Sequence, residues 1–149
     1  VRQSIWILIF IGAFLFVGCK GKQSVRTGPP KSDVDFAKEA FKLLADGDLA
    51  AAEMLDWEHL NVAGMDAGAS YRGLTSEAGR EGFHKSFITS YSTSFKSSGG
   101  KADLLTNWRE QSKDAGQTVV AADAPNKNTI LITVSHADGQ QKVSALALK

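Results

Sequence analysis

The sequence predicts an α+β domain in which N-terminal helices pack on a curved antiparallel sheet of about four strands. Three observations carry this expectation. Apolar residues recur at spacings of three and four from Val34 to Leu44, and again every four residues at Phe83, Phe87, Tyr91 and Phe95, which marks helices with one buried face. From Leu104 onward the chain turns to short runs rich in β-branched residues, separated by turn sequences, the signature of strands. Helices first and hairpin-linked strands after them is the order of an α+β fold with an antiparallel sheet.

The elements follow in order. Ser32 to Asp35 has the form of a capping box, with the serine hydroxyl offered to the first free backbone amides. Val34, Ala37, Phe41 and Leu44 then line one helix face, widened by Phe36, Ala40 and Leu43. Asp46-Gly47-Asp48 stops this helix and recaps a second one, expected from Leu49 to about Leu60 and led by three alanines. Asn61 to Gly73, punctuated by Gly64, Gly68 and Gly73, reads either as a loop or as a short irregular strand pair ending at Tyr71. A third helix is expected from about Ser76 to Lys96, its aromatic stripe a core signal around which the sheet curls. Ser97-Ser98-Gly99-Gly100 ends it. Strands are expected at Leu104–Gln111, Gln117–Asp123, Thr129–His136 and Gln141–Leu148. Asp138-Gly139 is the sharpest hairpin signal, since both central residues of that turn need positive φ.

The domain so described covers residues 33–149, a usual size for one core. What precedes it has a different character. Ile5 to Val17 is an apolar run of 13 residues behind Arg2, the order of a secretory leader. A membrane-spanning helix needs roughly 20 such residues. An uncleaved N-terminal membrane helix is the alternative reading. Residues 19–32 are rich in glycine, serine, proline and basic side chains and contain no acid, so they read as a tether with too little apolar surface to fold. Its basic residues could attract anionic headgroups, or the stretch is simply a solvated spacer.

The junction carries a resemblance. Leu15-Phe16-Val17-Gly18-Cys19 resembles the lipobox of bacterial lipoproteins, in which a small residue precedes a lipidated cysteine. That resemblance implies diacylglycerol on the Cys19 sulfur, cleavage between Gly18 and Cys19, and membrane lipid as the partner. With Lys20 rather than aspartate next, it implies the periplasmic face of the outer membrane in a Gram-negative cell, and otherwise the outer face of the cytoplasmic membrane. The leader is then residues 1–18, and the lipidated cysteine opens the tether. Physically, two or more buried acyl chains give stable attachment where one is marginal.

Cys19 is the only cysteine, so no disulfide forms within the chain and the fold rests on its buried core. With Arg2 in the leader, the remaining 16 basic side chains balance 16 acidic ones. That balance offers no electrostatic footprint for nucleic acid, which is excluded as a partner. His59, His84 and His136 stand at no metal-ligand spacing, and neither a metal site nor a cofactor is expected. Asp56-Trp57-Glu58-His59 puts two carboxylates beside an imidazole, but on a helix Glu58 points away from the other two, and an exposed ion-paired helix end accounts for the same residues.

The helix pair from Phe36 to Leu55 around Asp46-Gly47-Asp48, Tyr71-Arg72-Gly73 before the next helix, and the closing strands resemble the NTF2-like or cystatin-like cone. The resemblance implies a pocket between sheet and helices, which Tyr71, Arg72, His84, Tyr91, Trp108 and Arg109 would line. Two function classes follow: a non-enzymatic module binding a protein, peptide or small ligand at the envelope, or a small pocket enzyme of isomerase or hydrolase type. The anchor and the lack of a catalytic motif favour the module. No catalytic residue is assigned, and the oligomeric state is not read from the sequence.

Overall fold

The computed structural model describes residues 31–149; the leader, Cys19 and the tether up to residue 30 lie outside the described residues. Helix α1 spans Asp33–Asp46. Its start is the expected cap: the Ser32 hydroxyl accepts from the Asp35 amide at 3.1 Å, and Asp33 and Asp35 place negative charge in the first turn. Its end is Gly47 at φ +82°. The Gly47 amide donates to the Leu44 carbonyl at 3.2 Å and the Asp48 amide to Leu43 at 2.9 Å, the paired bonds of a Schellman motif.

The second helix departs from expectation. It is a 3₁₀ segment confined to Leu49–Met54, begun as foreseen by the Asp48 carboxylate accepting from the Ala50 amide at 2.9 Å. Beyond Met54 the backbone leaves the helix for the sheet. Leu55 bridges Val143 in parallel, and the Asp56 amide donates to the Val143 carbonyl at 2.9 Å. Burying Leu55 and Trp57, 2% and 7% exposed, outweighs the modest helix propensity of LDWEHL.

The ambiguous stretch resolves into two very short strands and a helix. Strands β1 (Asn61–Val62) and β2 (Met65–Asp66) flank Ala63-Gly64, both at positive φ, as a two-residue hairpin turn of this type requires. Helix α2 spans Ala67–Arg72 and is capped by the Asp66 carboxylate. Helix α3 spans Glu77–Ser97. Four longer strands follow: β3 (Thr106–Lys113), β4 (Gln117–Asp123), β5 (Thr129–Ala137) and β6 (Gln140–Leu148).

Among the described residues the sheet therefore has six strands, not four, in the order β2-β1-β6-β5-β4-β3. It is also mixed, not purely antiparallel, because β1 runs parallel to β6. The four strands legible in the sequence form its antiparallel part, and the two extra ones are too short to show a period of two. Val120 and Ala122 on β4, and Ile130, Ile132 and Val134 on β5, face the core. On β6 a register shift opposite Thr133/Val134 inserts one residue, so that Val143 and Leu146, three apart, both point inward.

Helix α1 lies across β3, β4, β5 and β6 and is the element the sheet packs on. The expectation that the sheet curls around the aromatic helix is thus corrected. Helix α3 packs chiefly on α1 and the 3₁₀ segment, with only Ile88 and Ser92 fully buried. The Ser92 hydroxyl donates to the Ala45 carbonyl at 2.7 Å, and a Cβ at Gly47 would come within 3.1 Å of that hydroxyl. Among the described residues no helix is long and apolar enough to cross a membrane.

Candidate functional site

The residues expected to line one pocket go to three places. Tyr71 and His84 meet Trp57: His84 stacks on Trp57 at 4.2 Å between ring centroids and on Tyr71 at 5.3 Å. Phe83 and Phe87 close this group, edge-on to Trp57 at 5.9 and 5.4 Å. Tyr91 and Trp108 belong to a second group around Phe41, together with Phe95. The α3 stripe joins the two groups as a ladder of near-parallel rings 6.2 to 6.5 Å apart. Rings therefore occupy the space where a pocket was expected. Burial pushes the Tyr91 phenol up to about 12, so it stays protonated at any ordinary pH.

Arg109 does not converge with these residues. It follows Trp108 on β3, and successive strand residues face opposite sides. Its guanidinium donates to Asp123 at 3.0 Å and to the Asn107 carbonyl at 2.9 Å. Arg72 likewise turns away, to the Asp66 carboxylate at 2.8 Å and to the Glu58 carbonyl. The Asp56–His59 pair exists, with both carboxylate oxygens 3.1 Å from Nδ1. It sits in a turn rather than on a helix, with the His59 side chain 72% exposed, where an ion pair does little.

His84 is chemically the unusual member of the aromatic group. Its Nε2 is buried and has no hydrogen-bond partner. Burial holds the imidazole below its ordinary titration range, and Arg80 acts in the same direction against the opposing pull of Glu53 and Glu81. A neutral ring stacked on Trp57 is the result.

A polar cluster that sequence reasoning missed gathers on Asp33, the first residue of α1. Its carboxylate accepts from the Thr118 hydroxyl at 2.7 Å, from the Gln141 amide at 2.7 Å and from His136 Nε2 at 3.0 Å, with Lys113 Nζ at 3.8 Å. Burial alone would push this carboxyl up. The bonds from Thr118, Gln141 and His136 outweigh burial and hold it below its ordinary value. One carboxylate thus ties the start of α1 to β3, β4, β5 and β6. Its oxygens are committed to these donors, so it serves as a clamp, not as a reactive base. The partners lie 85 and 108 positions away for Thr118 and Gln141; the only local signal was an acid after an N-cap serine.

One cleft involves a residue from the expected set. Between α1 and the entry to β3, a space of about 180 Å³ is bounded by Lys38, Phe41, Lys42, Asp103, Leu105 and Trp108. Lys42 Nζ donates to Asp103 at 2.6 Å, which raises the lysine and lowers the aspartate from their ordinary values. Among the described residues no three His, Cys, Asp or Glu side chains converge to hold a metal ion. Comparison with protein-family models, curated proteins and solved structures gives no match.

Proposed function

We propose that this chain is a bacterial lipoprotein, a non-enzymatic binding or accessory module held at the cell envelope by lipid on Cys19. The observation that carries the reading is the lone cysteine directly behind an apolar run too short to span a bilayer. The packing of the helical layer supports a module over a pocket enzyme: Phe83, Phe87 and Tyr91 of α3 pack ring on ring with Trp57 and Phe41, and Trp108 of β3 joins Phe41. Of the ionisable residues proposed for a pocket, Tyr71 and His84 meet ring on ring, while Arg72, Tyr91 and Arg109 lie apart from them.

In fold, the domain resembles the NTF2-like or cystatin-like plan through one feature above all, α1 laid across the antiparallel meander β3-β4-β5-β6. The Asp33 clamp fits an anchored protein mechanically. Lys31, where the tether enters, is bonded through its carbonyl to Gln141 at 3.0 Å, two residues before the clamped carboxylate. The periplasmic face of the outer membrane is its place in a Gram-negative cell, and the outer face of the cytoplasmic membrane otherwise.

Metabolic labelling with a fatty acid tests the anchor. Wild type is expected to incorporate label and lose its leader, while Cys19→Ser stays unlabelled and full length. Label retained in that variant contradicts the reading.

A further inference from the structure

We propose that the cleft between α1 and the entry to β3 binds a ring-sized organic anion, an aryl or cyclic carboxylate. This deepens the binding-module reading and rests on it for its setting, but its chemistry is tested separately. The floor is apolar and aromatic: Phe41 is 1% exposed and Leu105 7%, and the Trp108 indole lies 6.4 Å from the Phe41 ring at a tilt of 60°. The Trp108 Nε1–H is already given to the Leu105 carbonyl at 3.3 Å, so the indole lines the cleft with no donor left for a ligand. A closed, wholly apolar cavity of about 150 Å³ holds benzene. At about 180 Å³ this one takes a single six-membered ring and little more.

The rim sets the sign of the ligand. Lys38 and Lys42 stand one helical turn apart on α1, both exposed. Lys42 is held by Asp103 at 2.6 Å and by Asp46 at 3.8 Å. Lys38 has no ion-pair partner among the described residues. With Lys42 answered by Asp103 and Asp46, Lys38 is the ammonium group left to meet a ligand beside the aromatic floor. A carboxylate on the ring reaches Lys38 without breaking an existing pair. A cationic ring meets that lysine instead, and finds Asp103 already occupied.

Benzoate is the probe, titrated into the full protein in mild detergent while the Trp108 indole is followed by fluorescence and by its Nε1–H resonance. The expected result is a saturable response to benzoate. Benzyl alcohol should bind up to about fivefold more weakly, the loss of one exposed ion pair, and benzylammonium and acetate should also bind more weakly than benzoate. Lys38→Met keeps the exposed stem and should weaken benzoate by up to about fivefold, while Lys85→Met on the outer side of α3 changes nothing. Equal binding of benzyl alcohol reduces the site to an apolar crevice and overturns the proposal. So does a preference for benzylammonium, undiminished affinity in Lys38→Met, or no saturable response. Lipidation is read from the N-terminus, so a lipidated protein that ignores benzoate refutes this site and leaves the anchor intact.

Discussion

Replacing Asp33 by asparagine tests how the helical layer is fastened to the sheet. The native Asp33 side chain is 7% exposed and its Thr118 partner fully buried. Asparagine keeps the size, but it exchanges one acceptor oxygen for an amine aimed at donors. Hydrogen bonds to a charged group contribute about 1.5–3 kcal/mol each when buried. Only the Thr118 bond is fully shielded, since the His136 and Lys113 side chains are 40% and 58% exposed and so count for little. The expected loss is therefore about 2 kcal/mol, or about 8 °C in melting temperature for a domain of this size. The carboxyl titrates below its ordinary value of 3.8, so its stabilisation is complete above that pH and is lost as pH falls through the folded-state value. Urea unfolding followed by tryptophan fluorescence should show the full gap at pH 7 and a shrinking one below pH 3.8. Equal midpoints at pH 7, or a gap undiminished in strong acid, would refute the clamp.

Two further perturbations bear on the helical layer. His84 is held below its ordinary value of 6.5 by burial, so the unfolded chain takes up protons first and stability falls as pH drops below that value. His84→Phe removes a buried nitrogen without a partner and should raise stability by about 1 kcal/mol while flattening this fall; thermal melts at pH 5 and pH 7.5 decide, and a less stable variant with the same pH slope contradicts the assignment. Gly47→Ala forces a side chain onto φ +82° and against Ser92 at 3.1 Å. It should cost about 1–2 kcal/mol, and a melting temperature equal to wild type would show that the α1 C-cap is not under this constraint.

The sequence was most legible where local chemistry and tertiary demand agree. Ser32 and Gly47 mark the ends of α1 because capping is a property of a few neighbouring residues. Gln117–Asp123 is read at its observed bounds, and Asp138-Gly139 forms its turn with both residues at positive φ. Legibility failed where distant partners decide. Nothing near Leu55 announces that its backbone will join Val143, so the sequence pattern extends the second helix several residues past its end at Met54. The α3 aromatics read as a core stripe and are half-buried in the structure, because periodicity names a face and not what covers it. The pocket implied by the cone resemblance puts Tyr71 and His84 together with Tyr91 and Trp108, which the structure divides between Trp57 and Phe41. Arg109 was a matter of strand parity, and the Asp33 cluster needs five elements in place before it exists.

What is attached to the Cys19 sulfur decides whether the domain is anchored. Intact mass spectrometry of the protein extracted from bacterial membranes should find a chain beginning at Cys19 and heavier than its amino acids by a diacylglycerol, with or without a further acyl group. A chain that still carries residues 1–18 and a free thiol would contradict it.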